Sequence, residues 1–460
     1  MSLFRKKQDN NEKMKASVEP ASPLSVPAEP ADNSRNLCYK QLEKLFVPDS
    51  SAKGVVLKLY IENFKRLNDV FGYNYCEELL TQIISYLEET TGSVVYRYIG
   101  VEFIIILDRF TQGQASQLAD EVLERFDSVW KIDNTDCLCS VQIGLCSYPG
   151  HPASASELLK YLDLAIAQAS EHGPNQSAVF DTSLHNKYIR KQTIAMYLST
   201  ALENNEIEVR YRPTYHIGRQ RFTRAEYYMR IFIKGLGLIG AAEFLPIAED
   251  SGQIRTVEYF ALDHVGACIA DLIKSGKEFE SIALPISSVL FLQEDFLDEV
   301  TRIMDKYQIP KGKLALEIQE SALTTAFLNI NIMMQQLSEM GVELILNDFG
   351  SGYSGISNIL DMPVNTLKLE RMFVWQLETN PKSAHIIDGL VQIAKHLELN
   401  IIAEGVETEN QISKLTSFGC DYQQGFYYSP TLSQEVLMNI MDTSLEESRL
   451  ILNAEKEKMK

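Results

Sequence analysis

The distribution of hydrophobic and polar positions divides the chain into a polar N-terminal segment and two regions of regular structure. In the first region, residues 54–61, 94–107 and 140–148 alternate between hydrophobic and polar side chains as strands do. Residues 74–89 and 156–173 have the spacing of helices instead. This order of elements predicts a small α/β domain with a mixed or antiparallel sheet.

The second region alternates strand-like and helical stretches. Its eight strand-like stretches are residues 207–215, 224–233, 281–287, 313–321, 342–350, 366–374, 400–408 and 422–429. Helical stretches such as 260–276 and 383–399 lie between them. Eight strands that alternate with helices predict a parallel (β/α)₈ barrel of the TIM type.

These patterns predict five segments along the chain. The first is rich in Pro, Ala, Ser and Glu, and such a composition cannot bury a core. The predicted segments are a disordered tail (1–40), the small α/β domain (41–183), a linker helix (184–206), the barrel (207–440) and a C-terminal helix or tail (441–460).

Composition narrows the classes of partner. The 460 residues carry a formal net charge of −19, so the overall field of the chain does not favour nucleic acid or an anionic membrane. The seven cysteines have no zinc-ligand spacing, and an odd number without a signal peptide fits a reducing cytoplasm. No apolar run approaches the roughly 20 residues that cross a bilayer, so no transmembrane segment is expected.

Polar side chains occur at the ends of several predicted barrel strands, on the face where such barrels place their active sites. A single polar residue of this kind is most simply a solvated or paired charge. Several acids that converge would repel one another unless they share a ligand, a cation or a proton with each other. Carboxylates in this arrangement suit Mg²⁺, Ca²⁺ or Mn²⁺, and two such ions would activate water for phosphodiester hydrolysis. The residues are Glu226, Glu317, Asp348, Lys368, Glu404, Glu407 and Gln424.

Longer motifs give the chain a family resemblance. Residues 207–435 resemble an EAL domain, the family of cyclic-di-GMP phosphodiesterases and their inactive relatives, through RAEYYMR, LEIQES, NDFGSGYS, LKLERMFV, AEGVETENQ and QQGFYYSP. Residues 45–180 resemble a GGDEF domain, the diguanylate cyclase fold, through ENFKRLNDVFG, YRYIGVEFIII and QIGLCSYPG. The resemblance implies a bacterial, cytoplasmic signalling protein with two degenerate domains in tandem.

The resemblance also implies a metal site that has lost parts. Family members that hydrolyse hold metal through acids on the second, fourth and fifth strands and an Asn on the third. Glu226 and Glu317 match two of the acids, but the Asn falls on Pro285 and the first of two Asp falls on Asn347, followed by Asp348. A remnant of this kind would bind Mg²⁺ or Mn²⁺ weakly, because both ions are sensitive to the number and charge of their ligands.

Other family positions are retained or altered. The resemblance assigns Lys368 and Glu404 to a remnant catalytic set, and it assigns ligand contacts to Arg230, Asp348, Glu407 and Gln424. The Glu-Ala-Leu signature reads Glu226-Tyr227-Tyr228, and strand alternation places Tyr228 on the Glu226 face. The family Gln of the first strand falls on Arg212.

The cyclase-like half departs further from its family. The two metal-holding acids fall on Tyr60 and Val101, and the first Gly of the turn falls on Ile99. Glu102 remains. We therefore expect no cyclase activity and no metal cofactor in this domain.

Three functions remain open. We favour a non-catalytic sensor or effector that binds cyclic-di-GMP and reports to a protein partner. The alternatives are a weak metal-dependent phosphodiesterase that produces linear pGpG, and a protein-interaction scaffold without a nucleotide; a homodimer is left open in each case. Without metals, the carboxylates would repel a doubly negative ligand unless a cation or raised carboxylate pKa values relieve the repulsion.

Overall fold

The computed structural model describes residues 31–47, 52–133, 135–204, 206–350 and 356–458. The chain divides into two compact units, Met1–Tyr188 and Ile189–Lys460. Residues 1–30 of the predicted disordered tail (1–40) lie outside the described residues, whereas its last ten residues belong to helix α1 (Ala31–Leu45). Among the described residues, no helix combines the length and the apolar character needed to span a membrane.

The first unit is built around a mixed sheet. Its further elements are β1 (Gly54–Ile61), α2 (Phe64–Phe71), α3 (Tyr73–Thr91), β2 (Val95–Ile99), β3 (Glu102–Asp108), α4 (Gln112–Phe126), β4 (Trp130–Ile132), β5 (Thr135–Cys137), β6 (Val141–Tyr148), α5 (Ala155–Ser170) and β7 (Gln176–Val179). Helix α6 (Thr182–Glu203) begins in this unit and ends in the second. The sheet order is β2-β3-β1-β6-β7, with β1 antiparallel to both neighbours and β6 parallel to β7. The predicted mixed sheet is therefore confirmed.

Strand β1 is covered on both faces of this sheet. Leu57 and Leu59 belong to one hydrophobic cluster with residues of α3 and α4, whereas Val56 belongs to another with residues of α5. The one polar residue between them, Lys58, is 4% exposed. A charged side chain on a strand of this kind needs partners inside the unit.

The second unit contains the barrel. Its elements are β8 (Ile207–His216), β9 (Arg221–Ile233), β10 (Gly237–Gly240), α7 (Ala241–Asp250), α8 (Ile254–Lys274), β11 (Ser281–Ile286), α9 (Ser288–Phe291), α10 (Phe296–Lys306), β12 (Leu314–Gln319), α11 (Leu323–Met340), β13 (Glu343–Phe349), β14 (Thr366–Leu369), α12 (Arg371–Trp375), α13 (Pro381–His396), β15 (Asn400–Glu404), α14 (Glu409–Phe418), β16 (Tyr422–Gln424), α15 (Gln434–Ile440) and α16 (Leu445–Lys458). Short 3₁₀ segments cover Glu320–Ala322, Ile356–Asp361 and Gln376–Glu378.

Within the described residues, eight strands close the barrel in the order β8-β9-β11-β12-β13-β14-β15-β16 and back to β8. The predicted eight-stranded barrel is confirmed, but one strand direction differs from the expectation. Strand β8 is antiparallel to both β9 and β16, because a short turn after His216 joins it to β9 as a hairpin. Residues 371–374 of the predicted sixth strand lie in helix α12 instead.

Inward-facing side chains fill the barrel in layers. Ala283, Ala315 and Ile345 form a small apolar cluster of their own inside it. Toward the amino ends of the strands, Arg224 pairs with Glu280 and Glu343. The outward-facing residues of the same strands join the surrounding helices in the main core. The polar side chains at the carboxyl ends of the barrel strands are therefore not part of the hydrophobic core.

Candidate functional site at the carboxyl end of the barrel

A buried lysine lies at the centre of the polar residues at the strand ends. Lys368 on β14 is 0% exposed. Its Nζ lies 2.7 Å from Glu226 Oε2, 3.0 Å from Glu317 Oε2 and 3.4 Å from Glu404 Oε2. One ammonium group therefore holds three carboxyl groups that arrive from β9, β12 and β15.

Two further side chains complete this group. Gln424 Nε2 donates to Glu226 Oε2 at 2.9 Å. Arg212 Nη1 donates to Glu404 Oε1 at 3.2 Å and to the hydroxyl of Tyr228 at 2.9 Å, and its guanidinium carbon lies 4.4 Å from the Tyr228 ring centroid. We call this group the strand-end cluster; it comprises Arg212, Glu226, Glu317, Lys368, Glu404 and Gln424.

The local strand geometry explains why these residues meet. Along β9, side chains two residues apart share a face, so Arg224, Glu226 and Tyr228 all point into the barrel. Arg212 is the cross-strand partner of Glu226, and Glu404 is the partner of Gln424. Each strand thus delivers its polar residue at the same level of the barrel.

Burial and charge together set the protonation of the cluster. Burial would lower the pKa of Lys368, but the surrounding glutamates raise it well above its ordinary value. Burial together with the charge of Glu226 raises the pKa of Glu317 to about 8. Burial also tends to raise the pKa of Glu404, but the charges of Lys368 and Arg212 hold it below its ordinary value. Two cations and a largely protonated Glu317 therefore offset the acids near neutral pH.

The Asn-Asp pair lies at the end of β13, where the strand becomes irregular. The register with β14 shifts between Leu346 and Phe349, and Asp348 has a positive φ of 54°. The backbone N–H of Asp348 donates to Asn347 Oδ1 at 2.9 Å. Burial, then the charge of Glu404, raises the pKa of Asp348. The amide oxygen of Asn347 is thus engaged by its own neighbour, and residues 351–355 of the predicted loop lie outside the described residues.

Two residues predicted to contact ligand lie apart from these contacts. Arg230 pairs with Glu208 across the β8–β9 hairpin, donating to Oε1 from Nη2 at 2.8 Å. Glu407 is exposed, and its backbone N–H donates to the side chain of Gln411 at 2.7 Å. The same Gln411 oxygen also accepts from the backbone N–H of Thr408, in the capping box that begins helix α14.

The donor set does not fit a divalent cation well. Lys368 already holds the carboxyl groups of Glu226 and Glu317, and Pro285 has no side-chain donor. Among the described residues, no group of three or more His, Cys, Asp or Glu side chains is arranged to hold a metal ion. The strand-end cluster is held together by its own cations, Lys368 and Arg212.

A similar internal cation lies in the first unit. Lys58 Nζ lies 2.9 Å from Glu102 Oε2 and 2.5 Å from Asp163 Oδ1. Burial would lower the pKa of Lys58, but the hydrogen bonds that its ammonium group donates to Asp163 and Glu102 raise it. Tyr60 and Ile99, in contrast, are exposed. Glu102, the acid that remains at this turn, is therefore paired with a lysine of its own unit.

Sequence reasoning missed several of these groups. Lys58 and Arg224 each stand in an alternating strand, where a charged residue is ordinarily expected to face solvent. Glu258 lies on α8 just before the predicted helical stretch 260–276, and it is 2% exposed. Only for Arg224 did the sequence contain a signal: it lies two residues before Glu226 in a predicted strand and therefore shares its face.

The fold and the site define a class of protein: an eight-stranded barrel with one reversed strand, preceded by a small mixed α/β domain, with a lysine and several glutamates at its carboxyl end. The family model for the EAL domain matches residues 196–431, and the model for the diguanylate cyclase GGDEF domain matches residues 33–176. The chain belongs to the EAL domain family, as a tandem GGDEF–EAL protein of cyclic-di-GMP signalling.

Known relatives share most of this chain. Signaling protein YkoW of Bacillus subtilis is 31% identical over 386 residues, covering 83% of this chain and 48% of that protein. The bifunctional diguanylate cyclase/cyclic di-GMP phosphodiesterase MucR of Pseudomonas aeruginosa is 28% identical, covering 83% and 56%. The chain thus spans about half the length of these curated relatives. A solved structure, the PaMucR phosphodiesterase in complex with c-di-GMP, matches with a TM-score of 0.52 and 30% identity over 53% of this chain and 99% of that one.

Proposed function

We propose that the barrel binds cyclic-di-GMP at its carboxyl end without hydrolysing it, and that the bound state is reported to a protein partner. The observation that carries this proposal is the position of Lys368, whose ammonium group holds Glu226 and Glu317 at 2.7 and 3.0 Å. An ammonium group paired in this way reduces the net negative charge that a phosphate would meet, but it cannot lower the pKa of a bound water as a divalent ion does.

The charges of the strand-end cluster support binding without a metal. Arg212 adds a second cation whose side chain is 20% exposed, so it can face a ligand in the barrel mouth. The raised pKa of Glu317, about 8, removes one negative charge at neutral pH. Both effects reduce the repulsion that a doubly negative dinucleotide would meet.

A titration of the full chain tests this proposal. We expect cyclic-di-GMP to bind in the presence of EDTA, and Arg212→Gln to weaken binding roughly 10-fold or more, the effect of losing a hydrogen bond to a charged group. Arg190→Gln is the matched control, because Arg190 pairs with Glu243 on α7 and lies outside the cluster. Binding that requires Mg²⁺ or Mn²⁺, or equal affinities of wild type and Arg212→Gln, would contradict it.

Slow hydrolysis to linear pGpG is the second candidate. It is favoured by the retained Glu226, Glu317 and Asp348, and by relatives such as MucR whose names include phosphodiesterase activity. Chromatography of the ligand after incubation with Mn²⁺ distinguishes the two functions, since only hydrolysis yields the linear dinucleotide.

The first unit is proposed to produce no cyclic-di-GMP. The pairing of Glu102 with Lys58 at 2.9 Å supports this, because the acid that would hold a cation is already neutralised. Tyr60 stands opposite Glu102 in the β1–β3 register and has no carboxylate to contribute. Incubation of the chain with GTP and Mg²⁺ is expected to give no product above the level without protein.

A further inference from the structure

A cavity of about 720 Å³ lies at the amino end of the barrel, at the opposite end from the strand-end cluster. Its walls come from the start of β9, from the loops that precede β9, β11 and β12, and from the segment between α15 and α16. The volume lies in the range of small-molecule sites. We call it the amino-end cavity; its lining includes Arg219, Arg221, Thr223, Lys277, Lys313 and Asp442.

The lining of the amino-end cavity has an excess of positive charge. Four of its side chains are basic, whereas Glu278 and Asp442 are acidic. The whole chain carries a formal net charge of −19, so this concave surface is an exception to the overall charge. A recess lined by one sign of charge raises the local concentration of ions of the opposite sign. The cavity therefore favours an anionic ligand over a neutral or cationic one.

Both arginines of the cavity already have a carboxylate partner. Arg219 Nη1 lies 3.0 Å from Glu280 Oε1, and Arg221 Nη1 lies 3.0 Å from Asp442 Oδ1. The two arginine side chains are 63% and 52% exposed. Exposed ion pairs of this kind contribute little stability, so either guanidinium can turn toward an incoming anion at small cost.

The two lysines differ from the arginines, because they donate to backbone carbonyl groups. Lys277 Nζ donates to the carbonyl oxygen of Met441 at 3.3 Å, and Lys313 Nζ donates to that of Phe279. In the described part of the chain neither lysine forms an ion pair with a carboxylate. An ammonium group has three donors, and each of these groups uses one. Both lysines thus keep donors and an uncancelled charge for a ligand.

Thr223 gives a second, independent indication of a polar ligand. It lines the cavity and is 5% exposed, and its hydroxyl has no hydrogen-bond partner among the residues that the structure describes. A covered hydroxyl without a partner costs free energy. An anionic oxygen, or a water bound between that oxygen and the hydroxyl, would supply the partner.

We propose that the amino-end cavity binds the phosphate group of a small soluble molecule. The ammonium groups of Lys277 and Lys313 donate to the phosphate oxygens in charge-assisted hydrogen bonds, and Arg221 closes the rim. A large polyanion, such as an anionic membrane, would also meet the negative charge of the rest of the chain, whereas a small phosphate meets only the cavity. The inference does not depend on the binding of cyclic-di-GMP, since no member of the strand-end cluster lines this cavity.

Calorimetry on the full chain with inorganic phosphate as the probe tests this site. The titration is carried out in about 0.15 M NaCl, which screens weak association with exposed charges. We expect saturable binding of one phosphate per chain. The double variant Lys277→Gln/Lys313→Gln should bind phosphate roughly 10-fold or more weakly, the loss expected for a hydrogen bond to a charged group.

Lys274→Gln/Lys311→Gln is the matched control. It removes the same two charges from exposed lysines that lie near Lys277 and Lys313 in the sequence but outside the lining. This control should bind phosphate as wild type does. Thermal unfolding verifies that both double variants are folded. If Lys277→Gln/Lys313→Gln is not, Lys277→Gln alone replaces it, because it gives up a single bond to a carbonyl group, and it should also weaken binding roughly 10-fold.

Three results would overturn the assignment. The first is no saturable binding of phosphate by wild type at millimolar concentration. The second is an equal loss of affinity in the two double variants, which would mean that the overall charge and not the cavity holds the anion. The third is sedimentation with vesicles of phosphatidylcholine and phosphatidic acid that requires Lys277 and Lys313 while free phosphate does not bind, which would assign the cavity to a lipid headgroup.

Discussion

At the scale of single residues, the protonation of Glu317 makes the free energy of unfolding depend on pH. In an unfolded chain its carboxyl loses its proton near the ordinary pKa of about 4.3, whereas in the barrel burial and Glu226 raise the pKa to about 8. Between these values the folded chain holds a proton that the unfolded chain does not, so the free energy of unfolding falls as the pH rises through this window.

Glu317→Gln should therefore flatten this dependence. Between about pH 5 and pH 8, we expect the free energy of unfolding of Glu317→Gln to fall less steeply than that of wild type, with a difference in slope of up to ~1 kcal/mol per pH unit. At pH 8 the variant should be more stable than wild type. Chemical denaturation at several pH values measures the difference. Glu339→Gln, an exposed change on α11, is the control and should follow wild type. Parallel curves for wild type and Glu317→Gln would show that Glu317 is ionised in the folded barrel.

Pro285 and Asn347 carry the second prediction at this scale. Both line a cavity beside Glu317, so Pro285→Asn with Asn347→Asp adds one oxygen ligand and one charge at the strand ends. The double variant should bind Mn²⁺ more tightly and release linear pGpG at least ~10-fold faster than wild type. Each single variant is the control. Wild-type turnover of about 1 s⁻¹ or more would instead mean that these two positions do not limit hydrolysis.

At the scale of elements, strand β1 shows what a sequence pattern leaves hidden. Lys58 alternates with Leu57 and Leu59 as a solvent-facing residue would, but the sheet is covered on both faces and the lysine is buried. Alternation reports which residues share a face of a strand; it does not report whether a second layer covers the other face. The pairing of Lys58 with Glu102 and Asp163 could not be predicted for that reason.

The barrel strands were predictable to a different degree. The period of two along β9 correctly indicated a strand, and the order of elements indicated a barrel. The pattern carried no information on direction, so the reversed strand β8 was missed. In residues 366–374 the apolar spacing continues past Leu369 into α12, where a short helix buries Val374, so the end of the strand was placed too late. The burial of Glu258 could not be predicted, because a single acidic residue in a helix usually faces solvent.

Lys58→Met tests the buried pair on β1. The change leaves Glu102 partly buried without its cation, and we expect the first unit to lose roughly 1–3 kcal/mol of stability, less than for fully buried pairs because Asp163 remains exposed to water. Adding Glu102→Leu should recover part of the loss. Thermal and denaturant unfolding measure both variants. Lys53→Met, an exposed change just before β1, is the control, and an equal effect there would contradict a specific role for the pair.

At the scale of the whole molecule, each of the two units has a buried lysine at the place where its family motif suggests a cation site. Lys368 holds acids from three strands of the barrel, and Lys58 holds Glu102 in the first unit. The chain spans about half the length of the curated relatives described above. Both pairings are the basis of the proposal that the chain binds cyclic-di-GMP without turnover.

The most direct test of this account follows one sample through binding and product analysis. The full chain is titrated with cyclic-di-GMP in EDTA, then incubated with Mn²⁺ and separated by chromatography. The account predicts saturable binding without a metal and intact cyclic-di-GMP after prolonged incubation, with Pro285→Asn/Asn347→Asp as the variant that produces linear pGpG. The account would be contradicted if wild type converted a stoichiometric or larger amount of the ligand to linear pGpG, or if it did not bind cyclic-di-GMP at millimolar concentration.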